Sequence, residues 1–227
     1  ADSIRAKMAE LDTSNFGQIE VIGWLYQFYI AEQKDTLMAA GKAYKKEEIP
    51  AVTQLFTPNW IVKYMIQNSL GAKWMETYPD SPLKSKMEYY IEPAEQTAEV
   101  QAELDKIKDK SIDPETLTVI DPACGSGHIL VEAYDLLRDI YLERGYALRD
   151  IPELILKNNL YGIDLDKRAA QLATFALSMK AARDNPRLLG KTIPVNIINI
   201  VESNGLDVDA IANTLATRDV PADTIKS

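Results

Sequence analysis

The stretch Leu117-Thr-Val-Ile-Asp-Pro-Ala-Cys-Gly-Ser-Gly-His-Ile-Leu130 decides the fold of this chain. Its β-branched beginning predicts a strand that ends at Asp121, and the apolar spacing after His128 predicts an amphipathic helix. Between them, Gly125 and Gly127 allow the backbone to turn sharply and to approach a ligand closely. The N–H groups at the helix start have no partner within the helix, so they favour a carboxylate or another anion. This strand–turn–helix unit predicts a ligand site at the carboxyl end of a parallel sheet.

Strand and helix patterns alternate after this stretch. Leu160-Tyr-Gly-Ile-Asp164 predicts a second strand, and Val195-Asn-Ile-Ile-Asn-Ile-Val201 predicts a third. Asp150-Ile-Pro-Glu153 is typical of a capping box that opens a short helix. The order βαβαβ predicts an α/β fold with a parallel sheet and right-handed crossovers. Each of the two long helices has an apolar face: Ile129, Leu130, Ala133, Leu136, Leu137 and Ile140 in the first, and Ala169, Leu172, Ala173, Ala176 and Leu177 in the second.

Two further regions precede the α/β pattern. The first is predicted to be helical, since the stretch from Phe16 to Ile30 is apolar on most sides, as in a buried helix. A second helix is predicted to begin after Pro58 and to stop at Gly71. The next region is charged, and we expect a solvated insertion there; a functional acidic tail is the alternative. The helical region, the charged insertion and the α/β domain are assigned to residues 1–78, 79–115 and 116–227.

The composition is that of a soluble globular protein: 46% of the 227 residues are hydrophobic and 26% are charged. No stretch is long and apolar enough to span a membrane, and charged residues interrupt the start, where a secretion signal would lie. A single cysteine, Cys124, excludes an internal disulfide. These features predict a cytoplasmic protein. The net charge of −9 has the wrong sign for a surface that binds DNA phosphates.

Carboxylates end the first two predicted strands. Asp121 can accept a hydrogen bond from a cationic amine, so a ligand with an amine and a carboxylate, such as an amino acid moiety, matches it and the neighbouring helix start. Asp164 lies where dinucleotide-binding folds bind ribose hydroxyls, although it follows the glycines at a longer interval than the usual distance of about 20 residues. Asp166 is a second candidate for that role. No metal site is expected.

Other glycine-rich sites fit the sequence less well. A dinucleotide site has a third glycine after the pair, and a phosphate loop has a lysine after its last glycine; neither follows Gly127. Cys124 and His128 suggest a thiol enzyme, but no third residue that would orient the pair is identifiable. A glycine turn that serves the fold alone is a further alternative.

Four segments resemble, in the same order, the motifs of DNA methyltransferases that act on the N6 amino group of adenine. They are Thr53-Gln-Leu-Phe-Thr-Pro58, Asp121-Pro-Ala-Cys-Gly-Ser-Gly127, Asn159-Leu-Tyr-Gly-Ile-Asp-Leu-Asp166 and Val201-Glu-Ser-Asn-Gly-Leu206. The resemblance implies S-adenosylmethionine as the cofactor. It also implies the Rossmann-like fold of class I methyltransferases, represented here by its first three parallel strands after a helical N-terminal region.

The resemblance further implies which residues bind the cofactor. The expected set is Thr57, Pro58, Asp121, Pro122, Ala123, Cys124, Gly125, Gly127, Asp164, Leu165, Ser203 and Asn204. The two glycines are expected to cradle the methionine end and Asp164 to bind the ribose. The Thr-Pro pair acts as a lid in this class, and Ser203 or Asn204 is expected near the adenine ring.

The resemblance extends into the N-terminal region. Gly23-Trp-Leu-Tyr-Gln-Phe-Tyr29, the segment from Ile49 to Met65 and Asn68-Ser-Leu-Gly71 are similar to the large single-chain methyltransferases of BREX phage-defence systems. Some fused restriction–modification enzymes are also similar. This resemblance implies double-stranded DNA as a partner, together with other subunits of a defence or restriction system, and no membrane.

One motif of that class is absent from the sequence. Its members carry an Asn/Asp-Pro-Pro-Tyr/Phe loop that holds the amino group of the flipped adenine, whereas Asn185-Pro-Arg-Leu188 lacks the second proline and the aromatic residue. We therefore expect a cofactor-binding fragment that ends before the catalytic loop, contains no catalytic residue and is inactive alone. Its acidic charge would follow, because the basic DNA-binding surfaces would lie elsewhere. The alternatives are a non-catalytic docking module and a methyltransferase that acts on another substrate.

Overall fold

The computed structural model describes residues 21–45, 48–55, 57–191, 193–201, 207 and 209–211. The predicted site residues Ser203 and Asn204 lie outside these ranges, as does the part of the first predicted helix before Val21.

The described residues include eight α-helices and three strands. The helices are α1 Val21–Ala39, α2 Ile49–Thr53, α3 Asn59–Ile66, α4 Ala72–Thr77, α5 Ala98–Ile107, α6 His128–Glu143, α7 Ile151–Leu154 and α8 Lys167–Asp184, and the strands are β1 Val119–Asp121, β2 Leu160–Asp164 and β3 Asn196–Asn199. One π-helical turn, Gln67–Gly71, joins α3 to α4, and another, Ile155–Asn159, joins α7 to β2. Short 3₁₀ turns cover Pro82–Lys86, Pro114–Thr116 and Pro186–Gly190.

The three strands form one parallel sheet in the order β1–β2–β3. Asp121 pairs with Gly162, and Asp164 pairs with Asn199, so all three strands end at the same edge. The predicted parallel sheet is confirmed, and β2 has the predicted bounds. The other two strands are shorter than predicted: β1 is the last three residues of its predicted run, and β3 is the middle of its run. A run forms ladder bonds only where a neighbouring strand is in register.

A buried asparagine aligns the beginnings of β1 and β2. The Asn159 side-chain amide donates to the carbonyl oxygens of Pro114 at 2.7 Å and Leu117 at 2.6 Å, and its oxygen accepts from the Tyr141 hydroxyl at 2.9 Å. Every polar atom of this side chain is therefore satisfied away from water, which a buried amide requires. The bonds hold the chain before β1 beside the start of β2.

Helix α6 is the centre of the core. Its predicted apolar face is confirmed, with Leu130, Ala133, Leu137 and Ile140 fully buried, and Ile129 and Leu136 partly buried. Burying a side chain of this size contributes about 1.5–3 kcal/mol. The helix contacts the sheet, α8 and α3, so the glycine turn at its start is attached to the hydrophobic core cluster of the described residues.

Gly71 does not end a helix, and that prediction is wrong. The chain continues through the π-helical turn into α4, and Gly71 has an ordinary helical φ of −62°. A Cβ at this position would lie 2.6 Å from Sδ of Met87. The glycine therefore permits a close approach between two segments and does not serve as a stop signal.

The predicted capping box is also wrong, although α7 begins where it was expected. Asp150 already has helical dihedral angles, with φ −96° and ψ −27°, and its side chain makes no capping bond. Its carboxylate lies 3.5 Å from Nε of Arg149, and its backbone N–H donates to the Ala147 carbonyl at 2.8 Å. The preceding turn thus leads directly into the helix, whereas a capping residue would have extended dihedral angles.

The described part of the first helix is buried on one face only. Gly23 and Ile30 are buried, but Phe28 is 79% exposed and Tyr29 is 72% exposed. The prediction of a helix buried on most sides is therefore wrong for this part of the chain. α1 lies across α2 and α8, and a helix on a surface buries only the stripe that faces its support.

The charged segment differs along its length. α5 buries no residue, whereas Leu83 and Met87 belong to the core. Polar contacts hold the first half against α6: the Ser81 hydroxyl donates to Glu143 at 2.7 Å, and Lys86 lies 3.0 Å from Asp139. Among the described helices, none is long and apolar enough to cross a membrane.

Candidate cofactor-binding site

The turn between β1 and α6 is built on two glycines with positive φ. Gly125 has φ +53° and Gly127 has φ +85°, values in the left-handed region that side chains with a Cβ rarely adopt. The Cys124 N–H donates to the Ile163 carbonyl of the neighbouring strand at 2.9 Å, and the Gly127 N–H donates to the Cys124 carbonyl at 2.8 Å. The turn is therefore fixed to β2 and to itself.

Gly127 also lies against α8. A Cβ here would be 3.0 Å from both Cα and Cβ of Ala173. The first N–H groups of a helix have no partner within it, and His128 and Ile129 at the start of α6 line a depression in the surface. The close packing of glycine against alanine thus brings the amino end of α6 to the edge of the sheet.

Gly162 is a third required glycine, and sequence reasoning missed it. Its φ is not left-handed, but a Cβ would lie 2.6 Å from Cδ1 of Ile197, 2.9 Å from Cδ1 of Leu130 and 3.0 Å from Sγ of Cys124. The strand therefore passes beneath the turn without a side chain. A glycine within a β-branched strand pattern is a recognised signal of close approach.

Asp164 is bound to the glycine turn. Its Oδ2 accepts the N–H of Gly125 at 2.7 Å, and its Oδ1 accepts the N–H of Asp166 at 2.7 Å. An ionised carboxylate has about four acceptor positions. Two backbone bonds therefore fix the orientation of Asp164 and leave capacity for two further donors, such as a pair of hydroxyl groups.

The end of β3 holds the loop that follows Asp164. The Asn199 side-chain amide donates to the carbonyls of Asp164 at 3.1 Å and Leu165 at 3.0 Å, and the Ile200 N–H donates to the Asp164 carbonyl at 2.9 Å. Asn199 was not among the predicted site residues. It lies at a strand end with a short amide side chain, which is the signal that could have identified it.

Asp121 is a buried carboxylate, with 8% of its surface exposed. Its Oδ1 accepts the N–H of Ala123 at 3.1 Å. Burial raises the pKa of Asp121, and the nearby negative charge of Asp164 raises it further, whereas the bond from Ala123 lowers it. A cationic group beside Asp121 would stabilise its ionised form.

Cys124 lies below the turn and is 5% exposed. Burial raises the pKa of this thiol to about 12, with further contributions from the charges of Asp164 and Asp121. A thiol enzyme needs the opposite, a thiolate stabilised at neutral pH. The environment of Cys124 therefore disfavours the alternative of a cysteine nucleophile.

A segment between α2 and α3 faces the glycine turn. Gln54, Leu55 and Thr57, here called the lid segment, line a depression of about 60 Å³ together with Asp121 and Gly125. Gln54 and Leu55 also line an adjoining depression of about 200 Å³, which the predicted residues Pro122, Asp164 and Leu165 line as well; Ala123 and Gly125 line both depressions. Pro58 and Gly127 line neither depression. The Pro58 carbonyl accepts the N–H groups of Ile61 and Val62 at the start of α3.

The structure thus brings together predicted residues from three separate segments of the chain. The lid segment, the turn after β1 and the loop after β2 surround one pair of adjoining depressions. Gln54 is an additional member that the sequence did not single out. Within the described ranges, no group of three or more His, Cys, Asp or Glu side chains is placed to hold a metal ion.

Asp166 also lines the larger depression, but both of its oxygens have protein partners. Oδ1 accepts the N–H of Arg168 at 2.9 Å and caps α8, while Oδ2 accepts the hydroxyl of Tyr26 from α1. Burial and this contact raise the pKa of Tyr26, so its hydroxyl is protonated and donates at neutral pH.

The chain matches known methyltransferases. The profile of the family described as the DNA-methyltransferase domain of MmeI matches residues 94–219. The chain is 60% identical over 208 residues to the adenine-specific methyltransferase BrxX of Escherichia coli and 40% identical over 202 residues to the adenine-specific methyltransferase PglX of Lacticaseibacillus casei. It is 27% identical over 140 residues to a putative type II restriction enzyme and methyltransferase of Methanocaldococcus jannaschii.

These similarities cover most of the chain but a small part of the relatives. The three alignments include 91%, 86% and 54% of this chain, and 17%, 16% and 11% of the respective proteins. The family match includes the glycine turn and all three strands, and the resemblance to the large BREX methyltransferases is confirmed. The chain therefore belongs to the DNA-methyltransferase family of the MmeI domain, and BrxX and PglX are among its relatives.

Proposed function

We propose that this chain binds S-adenosylmethionine as part of a DNA methyltransferase that methylates N6 of adenine in a phage-defence or restriction–modification system. The observation that supports this most directly is the bond from the Gly125 N–H to the Asp164 carboxylate. This bond links the glycine turn to Asp164, so both can contact the same ligand. The names of the relatives support the adenine-specific reaction.

The residues fit the two ends of the cofactor. The methionine end carries an amine and a carboxylate. We assign the amine to Asp121, because a cation would stabilise the ionised form of this buried carboxylate. We assign the carboxylate to the start of α6, where backbone N–H groups and the helix dipole favour an anion. Because Gly125 has no side chain, the space between the turn and Gln54 is open: a Cβ there would meet Oε1 of Gln54 at 3.7 Å.

The ribose fits Asp164. Its two backbone bonds leave acceptor positions for the adjacent hydroxyls, and Pro122, Leu165 and Ile200 form an apolar wall of the same depression. Ser203 and Asn204 stay predictions for the adenine ring.

When bound, S-adenosylmethionine supplies an electrophilic methyl group on a sulfonium ion. The residues of this chain bind and orient it and shield it from water beneath the lid segment. Positioning of this kind is a major part of the catalysis of a group transfer between two bound partners. The target adenine would be flipped out of the duplex to reach the site.

DNA contact is assigned to other regions of the protein. A net charge of −9 disfavours binding to phosphates, which requires clustered Lys and Arg. We place the protein in the cytoplasm, where its DNA substrate is found, and expect it to work with other defence or restriction subunits.

Calorimetric titration with S-adenosylhomocysteine tests the proposed site. Asp164→Ala should weaken binding by about 1–3 kcal/mol, the scale of hydrogen bonds to a charged group. Asp164→Asn, which retains an acceptor for one backbone bond, should lose less. The matched control is Glu153→Gln, because Glu153 is an exposed carboxylate on α7 that lies 3.7 Å from Lys191 and lines neither depression.

Melting temperatures of the ligand-free variants show whether each one is folded. An Asp164→Ala chain that is folded and binds like the wild type removes Asp164 from the site. A wild-type chain that binds neither S-adenosylhomocysteine nor S-adenosylmethionine contradicts the proposal as a whole.

A further inference from the structure

Helix α1 has one face directed at the candidate site. Gly23 and Gln27 line the smaller depression together with Asp121 and His128. Ile30, on the same face, is buried. The spacing of these residues is that of a single helical stripe. The family profile begins at residue 94, so α1 is not part of the domain that this match assigns.

Two polar contacts attach this face to opposite sides of the site. The Lys34 ammonium donates to the Gln54 carbonyl at 2.6 Å and so binds the lid segment. The Tyr26 hydroxyl donates to Asp166 in the loop after β2. Tyr26 and Lys34 are half-buried and belong to the same stripe as Gly23 and Gln27. One helix thus connects the lid segment to the loop that follows Asp164.

We propose that α1 forms a wall of the S-adenosylmethionine site, and that Tyr26 and Lys34 are positioning residues that hold this wall and the lid segment over the bound cofactor. The inference rests on the proposed function. It adds to the proposed function a helix outside the matched domain, and two residues that were not among the predicted site residues.

The physical reason is the cost of ordering the lid segment. Gln54 and Leu55 lie outside regular helix or strand, and segments held by few contacts open locally at low free energy. A lid segment that is mobile without ligand loses conformational entropy when the ligand binds, and this loss weakens affinity. A cationic donor on the Gln54 carbonyl orders the segment beforehand, because hydrogen bonds to charged groups are stronger than neutral ones.

Asp166 couples the other contact to the ribose side of the site. Its Oδ1 caps α8 through the Arg168 N–H at 2.9 Å, and its own N–H donates to Asp164 at 2.7 Å. Tyr26 therefore holds Asp166, which is hydrogen-bonded to Asp164, the residue proposed to bind the ribose. Loss of the hydroxyl frees the Asp166 side chain on the side that faces α1.

Binding of S-adenosylhomocysteine to the wild-type chain and to Tyr26→Phe and Lys34→Met variants tests the inference. Each variant should bind about tenfold more weakly, which corresponds to about 1.4 kcal/mol, and should release the ligand faster. Lys34→Arg retains a cationic donor and should recover most of the affinity. The matched controls are Tyr29→Phe, an exposed tyrosine one turn from Tyr26 whose ring stacks on it and is kept in the variant, and Lys42→Met, an exposed lysine after α1; both should bind like the wild type.

The outcomes separate this inference from the proposed function. Wild-type affinity in both Tyr26→Phe and Lys34→Met overturns the inference and leaves the proposed function standing. A lower melting temperature of the ligand-free variants with unchanged affinity also overturns it, because the contacts would then stabilise the fold alone. Absence of binding by the wild-type chain overturns the proposed function and the inference with it.

Discussion

The backbone N–H of Gly125 lies 2.7 Å from Oδ2 of Asp164 and donates a hydrogen bond to it. This bond joins the turn after β1 to the end of β2, two segments that are 39 positions apart in the chain. Because Asp164 also accepts from Asp166, its carboxylate is held in one orientation before any ligand binds. Preorganised groups lose less entropy on binding, which favours affinity.

Asp121→Asn should affect stability and binding in opposite directions. Burial raises the pKa of Asp121, so its ionised form is unfavourable in the folded chain at neutral pH. Asparagine keeps an acceptor for Ala123 but carries no charge. We expect a higher melting temperature without ligand at pH 7, and weaker S-adenosylhomocysteine binding by about 1–3 kcal/mol, since a bond to a charged partner is lost.

The stability difference for Asp121→Asn should depend on pH. The folded pKa of Asp121 is raised, so its protonated form contributes stability below the ordinary aspartate pKa of about 3.9, and that contribution is lost as pH rises through the folded pKa. The gain in melting temperature should therefore be present at pH 7 and shrink towards pH 3. A variant that is less stable than the wild type at pH 7 contradicts this account.

Gly127→Ala should destabilise the chain more than Gly145→Ala. Both glycines have positive φ, +85° and +81°, but a Cβ at Gly145 meets nothing within 4 Å, whereas one at Gly127 lies 3.0 Å from Ala173. The left-handed conformation alone costs roughly 1–2 kcal/mol, and overpacking adds about 1–3 kcal/mol. Urea unfolding of the two variants measures the difference; equal losses would show that the contact with Ala173 relaxes freely.

Cys124 should be unreactive in the folded chain. Its pKa is raised to about 12 by burial and by two nearby carboxylates, and only the thiolate is nucleophilic. Iodoacetamide at pH 8 should modify it slowly without urea and rapidly in urea. Because Cys124 is the single cysteine of the chain, mass spectrometry of the intact chain measures the extent of its alkylation. Rapid modification without urea contradicts the prediction.

Cys124→Ser should also retain substantial methyl transfer in a full-length enzyme, because a buried protonated thiol supplies no nucleophile. Loss of activity with cofactor binding intact would assign Cys124 a role in the reaction. The contribution of Cys124 to the stability of the fold should depend on pH. Because the folded chain raises the thiol pKa to about 12, this contribution is complete below the unfolded thiol pKa of about 8.5 and is lost as pH rises towards about 12.

This chain by itself should not methylate DNA. Methyl transfer requires the adenine amino group at roughly 3–3.5 Å from the methyl donor, and the sequence contains no Asn-Pro-Pro-Tyr loop to hold it there. Flipping the base also costs a few kcal/mol, which a chain of net charge −9 is poorly suited to offset. Labelled S-adenosylmethionine and duplex DNA provide the assay, and sustained labelling of adenine N6 would contradict the expectation.

The sequence by itself determined the strand–glycine–helix unit, the parallel order of the strands and the bounds of β2. It also predicted segments that line the candidate site: the glycine turn and the strand-end carboxylates are local patterns, whereas the Thr-Pro segment was predicted from the family resemblance. Local patterns suffice for these features, since helix and strand periodicity and the left-handed turns depend on neighbouring residues. The same rules failed at Gly71 and Asp150, where packing and a preceding turn outweigh the local signal.

Only the tertiary structure decided which residues meet. The contact of Tyr26 with Asp166 spans 140 positions, and the requirement for glycine at Gly162 arises from side chains of β3, α6 and the glycine turn. No periodicity records such pairs, because they depend on how separate elements pack. The exposed face of α1 has the same origin: an apolar helix buries only the stripe that its support covers, and that support is formed by segments distant in the sequence.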